Sequence, residues 1–367
     1  MNECTRYILV CAGEDSGDSI GESLVKAIVA DAHWGAVGAG GARMQAAGLR
    51  PIVDYETLPV SGFGDVVPRY FKLRQSFDQL KTALESPNCV GLIAIDYPGF
   101  NMKLVALAGK LRKPALYVAP PQVWAWKRKR AKELAKNPFV KLAVFFDFEE
   151  TVYKDAGCNV VRVQHPFVNS KLNDSVVLEP QGDKIRLSSK IILLPGSRKS
   201  QALRNLPIYL KTVQDVQNVV VIAARQKLVP VFEKLGLQVV VAPQTAEERM
   251  ALYHAAKYAI AAPGTATLEL ALSGKSMLVC TKPDVLTYCL GRLFIRSKYF
   301  ALPNIIMNHL VFPEYIVAPW KNHDVLRQRI ASAVSVANDD VSAELREKLN
   351  VGKSLEQLAL EFLGQFV

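Results

Sequence analysis

YILVCAGEDSGD, residues Tyr7 to Asp18, decides how the rest of the chain is read. Tyr7–Ala12 is an apolar run of strand length without polar alternation, as a strand covered on both faces requires. Gly13 breaks the run, and polar residues lead into an amphipathic helix over Ile20–Ala32. A strand, a tight turn and a helix open a parallel crossover unit. The turn then lies at the carboxyl end of the strand, where ligands gather in open parallel sheets. Its glycines let backbone approach a ligand, and the helix offers unpaired N–H groups. Capping of that helix by Asp18 or Ser19 fits the same residues equally well.

The same unit recurs downstream. Val90–Ile95 precedes a helix near Asn101–Leu111, Ala115–Ala119 one over Trp124–Lys136, and Leu142–Phe146 one near Glu149–Ala156. After Phe167 the alternation lapses into the polar stretch Asn169–Ser189, which reads as a linker. It restarts with Ile191–Leu194 and continues through strands at Val219–Ala223, Val239–Val241, Ala259–Ala262 and Met277–Thr281. The expected organisation is α/β, with two parallel-sheet domains at 1–168 and 190–340, a linker at 169–189 and a helical tail at 341–367. Within that tail Leu345, Leu349, Leu355, Leu358 and Phe362 share a stripe, interrupted near Gly352.

Three further turns follow strands. In Asp96-Tyr97-Pro98-Gly99-Phe100-Asn101, Asp96 ends an apolar strand, where it suits a general base or a turn-capping aspartate. Leu194-Pro195-Gly196-Ser197-Arg198 joins backbone donors to a forked guanidinium, a pairing that suits a diphosphate. Ala262-Pro263-Gly264-Thr265-Ala266-Thr267-Leu268-Glu269 leaves room for a phosphate at a helix N-terminus, with Glu269 able to accept from a ribose, or it is a tightly packed junction. Two look-alikes fail. Gly274-Lys275-Ser276 lacks the earlier glycine of a P-loop, and Gly38-Ala39-Gly40-Gly41-Ala42-Arg43 puts Arg43 where a dinucleotide fingerprint needs glycine.

Composition narrows the class. The chain of 367 residues carries a formal charge of +11, which favours an anionic partner. No arginine-rich tail or RNA-binding aromatic signature accompanies the charge, so nucleic acid is not expected. No run approaches the ~18 apolar residues of a membrane span, and no secretory signal is read at the start. Six scattered cysteines without a Cys-x-x-Cys pair read as buried thiols of a cytosolic protein. No His-rich or Asp-x-Asp cluster flanks the phosphate candidates, so metal-independent chemistry without a cofactor is expected. Val66-Val67-Pro68-Arg69-Tyr70-Phe71-Lys72-Leu73-Arg74 interleaves apolar groups with cations, as an interfacial segment does. Tyr70, Leu73, Phe77, Leu80 and Leu84 have helical spacing and face a core, which leaves Val66, Val67 and Phe71 as contacts, with Arg69 and Lys72 as the cations beside them.

Taken in order, Gly13–Asp18, VGAGGARMQ at 37–45, DYPGFN at 96–101, PQVWAW at 121–126, LLPGSR at 193–198, GTATLE at 264–269 and LPN at 302–304 resemble lipid-A-disaccharide synthase, of glycosyltransferase family 19. The resemblance implies a GT-B fold of two Rossmann-like domains with an interdomain cleft. It implies inverting transfer of 2,3-diacylglucosamine from UDP-2,3-diacylglucosamine to 2,3-diacylglucosamine 1-phosphate, giving a β-1,6-linked disaccharide 1-phosphate and UDP. Asp96 would be the base. Gly196, Ser197, Arg198, Gly264, Thr265, Ala266, Glu269 and Asn304 would bind the donor, while Glu14, Ser16, Gly17, Asp18 and Gln122 would face the cleft from the acceptor side. The family is peripheral on the cytoplasmic face of the inner membrane, at an anionic surface that the segment near Val66 would meet, and can form homodimers. Asp15, Gln164 and Pro263 depart from the family pattern, and Pro263 removes a backbone donor before Gly264. The alternatives are another GT-B enzyme such as a UDP-GlcNAc 2-epimerase, and a basic nucleic-acid-binding protein.

Overall fold

The computed structural model describes residues 6–58, 63–125, 127–170, 187–213, 215–294, 297–320 and 340–366, with the backbone alone at 63–70, 169, 290, 293 and 294. Contacts divide the chain into one unit of Met1–Pro166 with Leu349–Val367, and a second of Phe167–Lys348.

The first unit is built on a seven-stranded parallel sheet. Its strands are β1 (Arg6–Ala12), β2 (Trp34–Ala39), β3 (Arg50–Pro51), β4 (Cys89–Ile95), β5 (Ala115–Val118), β6 (Val140–Val144) and β7 (Val160–Arg162), in the order β3-β2-β1-β4-β5-β6-β7. From β1 the chain steps outward to β2 and β3, then returns to the other side of β1 with β4. The order therefore reverses between β1 and β4, the topological switch point of an open α/β sheet. Ile8 to Ala12 and Leu92 to Ile95 are fully enclosed, which is why neither run alternates with polar residues.

The second unit carries a six-stranded parallel sheet of β8 (Ile191–Leu194), β9 (Val219–Ala223), β10 (Gln238–Val241), β11 (Tyr258–Ala261), β12 (Met277–Thr281) and β13 (Glu314–Ile316), in the order β10-β9-β8-β11-β12-β13. Its switch point lies between β8 and β11. Each unit is thus Rossmann-like, with its own apolar core.

Four strands escape the sequence reading. β2 is Gly-rich, and Gly38, at φ 149°, is required because a Cβ there would stand 2.0 Å from the Val10 carbonyl oxygen. β3, β7 and β13 have two or three residues each, too short to show a period. The expected helix over Trp124–Lys136 is confined to Lys129–Ala135, since Lys127 takes φ 51° and ends the preceding turn. The tail stripe Leu345, Leu349, Leu355, Leu358 and Phe362 is buried, and the break falls where Gly352 lies against the Arg162 carbonyl. Helix Leu355–Leu363 packs on helix Asp15–Val29, inside the first unit. No helix among the described residues is long and apolar enough to cross a membrane.

Candidate active site

The switch point of the first sheet holds the glycine-rich turn after β1 and the Asp96 turn after β4. Asp96 and Tyr97 both adopt left-handed backbone, at φ 48° and 50°, a strain of about 1–3 kcal/mol each that surrounding bonds must hold. Those bonds are present. Asn101, on helix Pro98–Lys110, donates from Nδ2 to the carbonyls of Cys11 (3.2 Å), Ile95 (3.0 Å) and Asp96 (2.9 Å). The Tyr117 hydroxyl donates to the Asp96 carbonyl at 3.1 Å. Gly13 is a glycine because a Cβ would stand 2.2 Å from the Tyr97 ring, whose hydroxyl donates to the Leu58 carbonyl.

The Asp96 carboxyl is therefore turned by its backbone rather than by chance of rotamer. Ser16 donates to its Oδ2 at 3.4 Å. Burial raises its pKa, opposed by the Tyr97 N–H and the Ser16 hydroxyl. Glu14 precedes helix Asp15–Val29 half-buried, Gly17 lies enclosed against Ala12, and Gln122 is exposed in the loop after β5. Asp18 takes a different role from the one expected: it is buried, and its carboxylate accepts from Arg43 N (3.2 Å) and Met44 N (3.1 Å), capping helix Ala42–Ala46. Gly41 is a glycine for that reason: a Cβ there would meet the same carboxylate at 2.6 Å.

The second switch point brings together the other two turns. Ala262 N donates to the Leu194 carbonyl at 2.8 Å, so the turns at 195–198 and 263–265 lie side by side at the ends of β8 and β11. Gly196 is left-handed at φ 117°. Arg198 is exposed at the N-cap of helix Lys199–Thr212. Gly264, at φ 155° with open space where a Cβ would stand, precedes helix Thr265–Leu272, which has no side-chain cap. Thr265 and Gly264 are exposed and Ala266 half-buried, so the helix starts at the surface, with Thr267 N donating back to the Gly264 carbonyl at 3.1 Å. Buried Asn205 fixes this rim: it donates to the Pro195 carbonyl (2.9 Å) and accepts from Lys282 N (2.7 Å).

Two donor-side expectations change meaning. Glu269 is only 4 % exposed and is gripped by Arg249, whose Nε lies 3.0 and 3.2 Å from its two oxygens. Asn304 is enclosed, donating to Phe312 O (2.8 Å) and Glu314 Oε2 (3.0 Å) and accepting from Val311 N (3.0 Å) and Phe312 N (2.9 Å). Its amide is saturated within the unit, so it shapes the turn rather than lining a donor with its side chain.

Sequence reasoning also passed over Glu149. It follows β6, is 6 % exposed, and accepts from Phe145 N at 3.3 Å. Burial lifts its pKa to about 7, with a smaller push from the Asp96 charge. An acid three residues into the helix after Phe145-Phe146 was the available signal. Arg249 gave none, since its partner lies on another helix.

In the segment expected to meet lipid, Val66, Val67 and Arg69 lie in helix Phe63–Glu85, but their side chains fall outside the described residues. Phe71 is 78 % exposed, Lys72 is exposed, and Leu80 and Leu84 are buried in the core.

Comparison with known proteins is decisive for family. The lipid-A-disaccharide synthetase family profile matches residues 8–360. The chain belongs to the lipid-A-disaccharide synthase family. Lipid-A-disaccharide synthase 1 of Legionella pneumophila (strain Lens) is 35 % identical, over 86 % of this chain and 85 % of that one. The lipid-A-disaccharide synthase of Geobacter sulfurreducens is 32 % identical and covers 100 % of both chains. Among solved structures, a UDP-GlcNAc 2-epimerase from Methanocaldococcus jannaschii in complex with UDP-GlcNAc and UDP shares the fold at a TM-score of 0.61 and 10 % identity, covering 98 % of this chain and 99 % of that one. The glycosyltransferase SnogD from Streptomyces nogalater does so at 0.55 and 12 %, covering 98 % and 99 %. The fold is GT-B, and the epimerases resemble this lipid-A-disaccharide synthase family member in fold alone. The enzyme is a glycosyltransferase of lipid A biosynthesis, acting on a sugar nucleotide and a lipid acceptor.

Proposed function

We propose that the enzyme transfers 2,3-diacylglucosamine from UDP-2,3-diacylglucosamine to the 6-hydroxyl of 2,3-diacylglucosamine 1-phosphate. The acceptor oxygen attacks the anomeric carbon as the bond to the diphosphate breaks. UDP leaves with the electron pair, and the hydroxyl proton passes to Asp96. Attack opposite the leaving group inverts the α-linked donor to a β-1,6 linkage, so one base suffices. Burial makes Asp96 a stronger base than a solvated carboxylate. Arg198, the Gly196-Ser197 backbone and the uncapped helix end at Gly264, Thr265 and Ala266 stabilise the departing diphosphate. Glu269, oriented by Arg249, accepts from the ribose. Glu14, Ser16, Gly17 and Gln122 border the acceptor. The enzyme works at the anionic cytoplasmic face of the inner membrane, with Val66, Val67, Arg69, Phe71 and Lys72 in contact with lipid.

The observation that carries this reading is that all four chemistry-bearing turns lie at the two topological switch points, an acid at one and phosphate-type donors at the other. The test mixes purified enzyme with both diacylglucosamine substrates and detects the disaccharide by mass. Asp96→Asn should lower kcat by roughly 10²–10⁴-fold while UDP still binds. Undiminished turnover in that variant would remove Asp96 from the reaction.

A further inference from the structure

Asn101 stands in the Asp96 motif, yet no role in the reaction follows from its position in the sequence. It is fully enclosed. Its Nδ2 sits among three carbonyl oxygens: Cys11 on β1, Ile95 on β4, and Asp96 beyond β4, at 3.2, 3.0 and 2.9 Å. An amide nitrogen has two hydrogens, so the three acceptors share them. The Oδ1 of the same amide has no partner among the described residues. Leaving a buried acceptor unmet is unfavourable. The side chain is thus present for its donors, at the expense of its acceptor.

What those donors hold is specific. The Asp96 carbonyl is where the chain leaves β4 and enters two consecutive left-handed residues. In ordinary β backbone the Asp96 side chain would leave the sheet in a different direction. The Asn101 amide and the Tyr117 hydroxyl both terminate on that carbonyl, which over-determines the strained conformation. The Cys11 contact ties the same amide to β1, just before the turn that leads into helix Asp15–Val29, where the Ser16 hydroxyl reaches the Asp96 carboxyl.

We propose that Asn101 is a positioning residue for the transfer reaction: it locks the backbone of Asp96 so that the carboxyl is presented at the switch point. The inference rests on the reading of Asp96 as the base. A displacement of about 1 Å at a reacting group lowers turnover by about 10²-fold. Asn101→Leu keeps the size and removes both donors; Asn101→Ser retains one. Turnover, KM for both substrates, UDP affinity and thermal unfolding are measured on each, beside Asp96→Asn. The expected result is a fall in kcat of about 10²-fold for Asn101→Leu and less for Asn101→Ser, at KM values within about threefold of wild type. The acid limb of the kcat profile should also move in Asn101→Ser, because the carboxyl no longer sits in the same surroundings.

A purely structural role predicts otherwise: a lowered melting temperature, with kcat per folded molecule and the acid limb unchanged. That result overturns the proposal. If Asn101→Leu does not fold, Asn101→Ser decides alone by the same criteria. If Asp96→Asn is fully active, the base assignment fails and the proposal falls with it. A slow Asp96→Asn beside a normal Asn101→Ser refutes Asn101 only.

Discussion

Replacing Glu149 by glutamine tests the electrostatics of the first rim directly. The carboxyl is enclosed, and its pKa is raised from 4.5 to about 7. Below pH 4.5 it is protonated in folded and unfolded chains alike. As pH rises towards about 7 the unfolded chain ionises freely while the folded one resists, and stability drains away over that window. Above about 7 the loss is complete. A difference of about 2.5 pKa units corresponds to about 3 kcal/mol. The glutamine amide keeps an acceptor for the Phe145 N–H and carries no charge, so the variant lacks this slope. The stability of wild type minus that of Glu149→Gln should therefore fall by about 3 kcal/mol between pH 4.5 and pH 8, the other titrating groups cancelling in the subtraction. Trp34, Trp124 and Trp126 belong to the first unit, and a Trp320→Phe background confines the fluorescence signal to it. Denaturant unfolding at several pH values then reads the difference. A difference that stays flat with pH would refute the claim that burial controls this carboxyl.

Further expectations concern both rims. Arg198→Met should weaken UDP binding by about 10–100-fold, read by calorimetry, as the loss of one charge-assisted contact worth about 1.5–3 kcal/mol implies. Arg249→Met leaves the Glu269 carboxylate buried without its partner and should destabilise the second unit by about 3–5 kcal/mol, measured by denaturant unfolding. The raised pKa of Asp96 places the acid limb of kcat above the ordinary carboxylate value, so turnover should fail on acidification earlier than a solvated aspartate would allow. Serine at Val66, Val67 and Phe71 together should reduce partition onto anionic vesicles without altering the melting temperature; unchanged partition would return that helix to ordinary packing.

The sheets were legible because buried parallel strands write themselves as unbroken apolar runs, as Tyr7–Ala12 and Ile191–Leu194 do. The rim turns followed from the residues that end each run, whereas the strand order needed the structure, because Gly-rich β2 and the very short β3, β7 and β13 show no period. What stayed hidden was pairwise. Asp18 caps a helix 25 residues away, Glu269 is claimed by an arginine 20 residues earlier, and Asn304 spends its amide within its own turn. A polar residue near a rim can face outward or cap inward with the same sequence signature, and only its partners decide. The left-handed pair Asp96-Tyr97 was equally silent, since neither residue is glycine.

The tail has a consequence for biosynthesis. Residues 349–366 complete the unit that begins at the N-terminus: His165 N and Gln164 N donate to Leu349 O and Lys353 O, and Trp34 meets Phe366. Those final residues are translated only after everything from Phe167 to Lys348. The nascent first half therefore waits with the surface of helix Asp15–Val29 that receives the tail helix still uncovered. A chain cut short near residue 340 would lack the helix that covers this surface, and its first unit would stay incomplete.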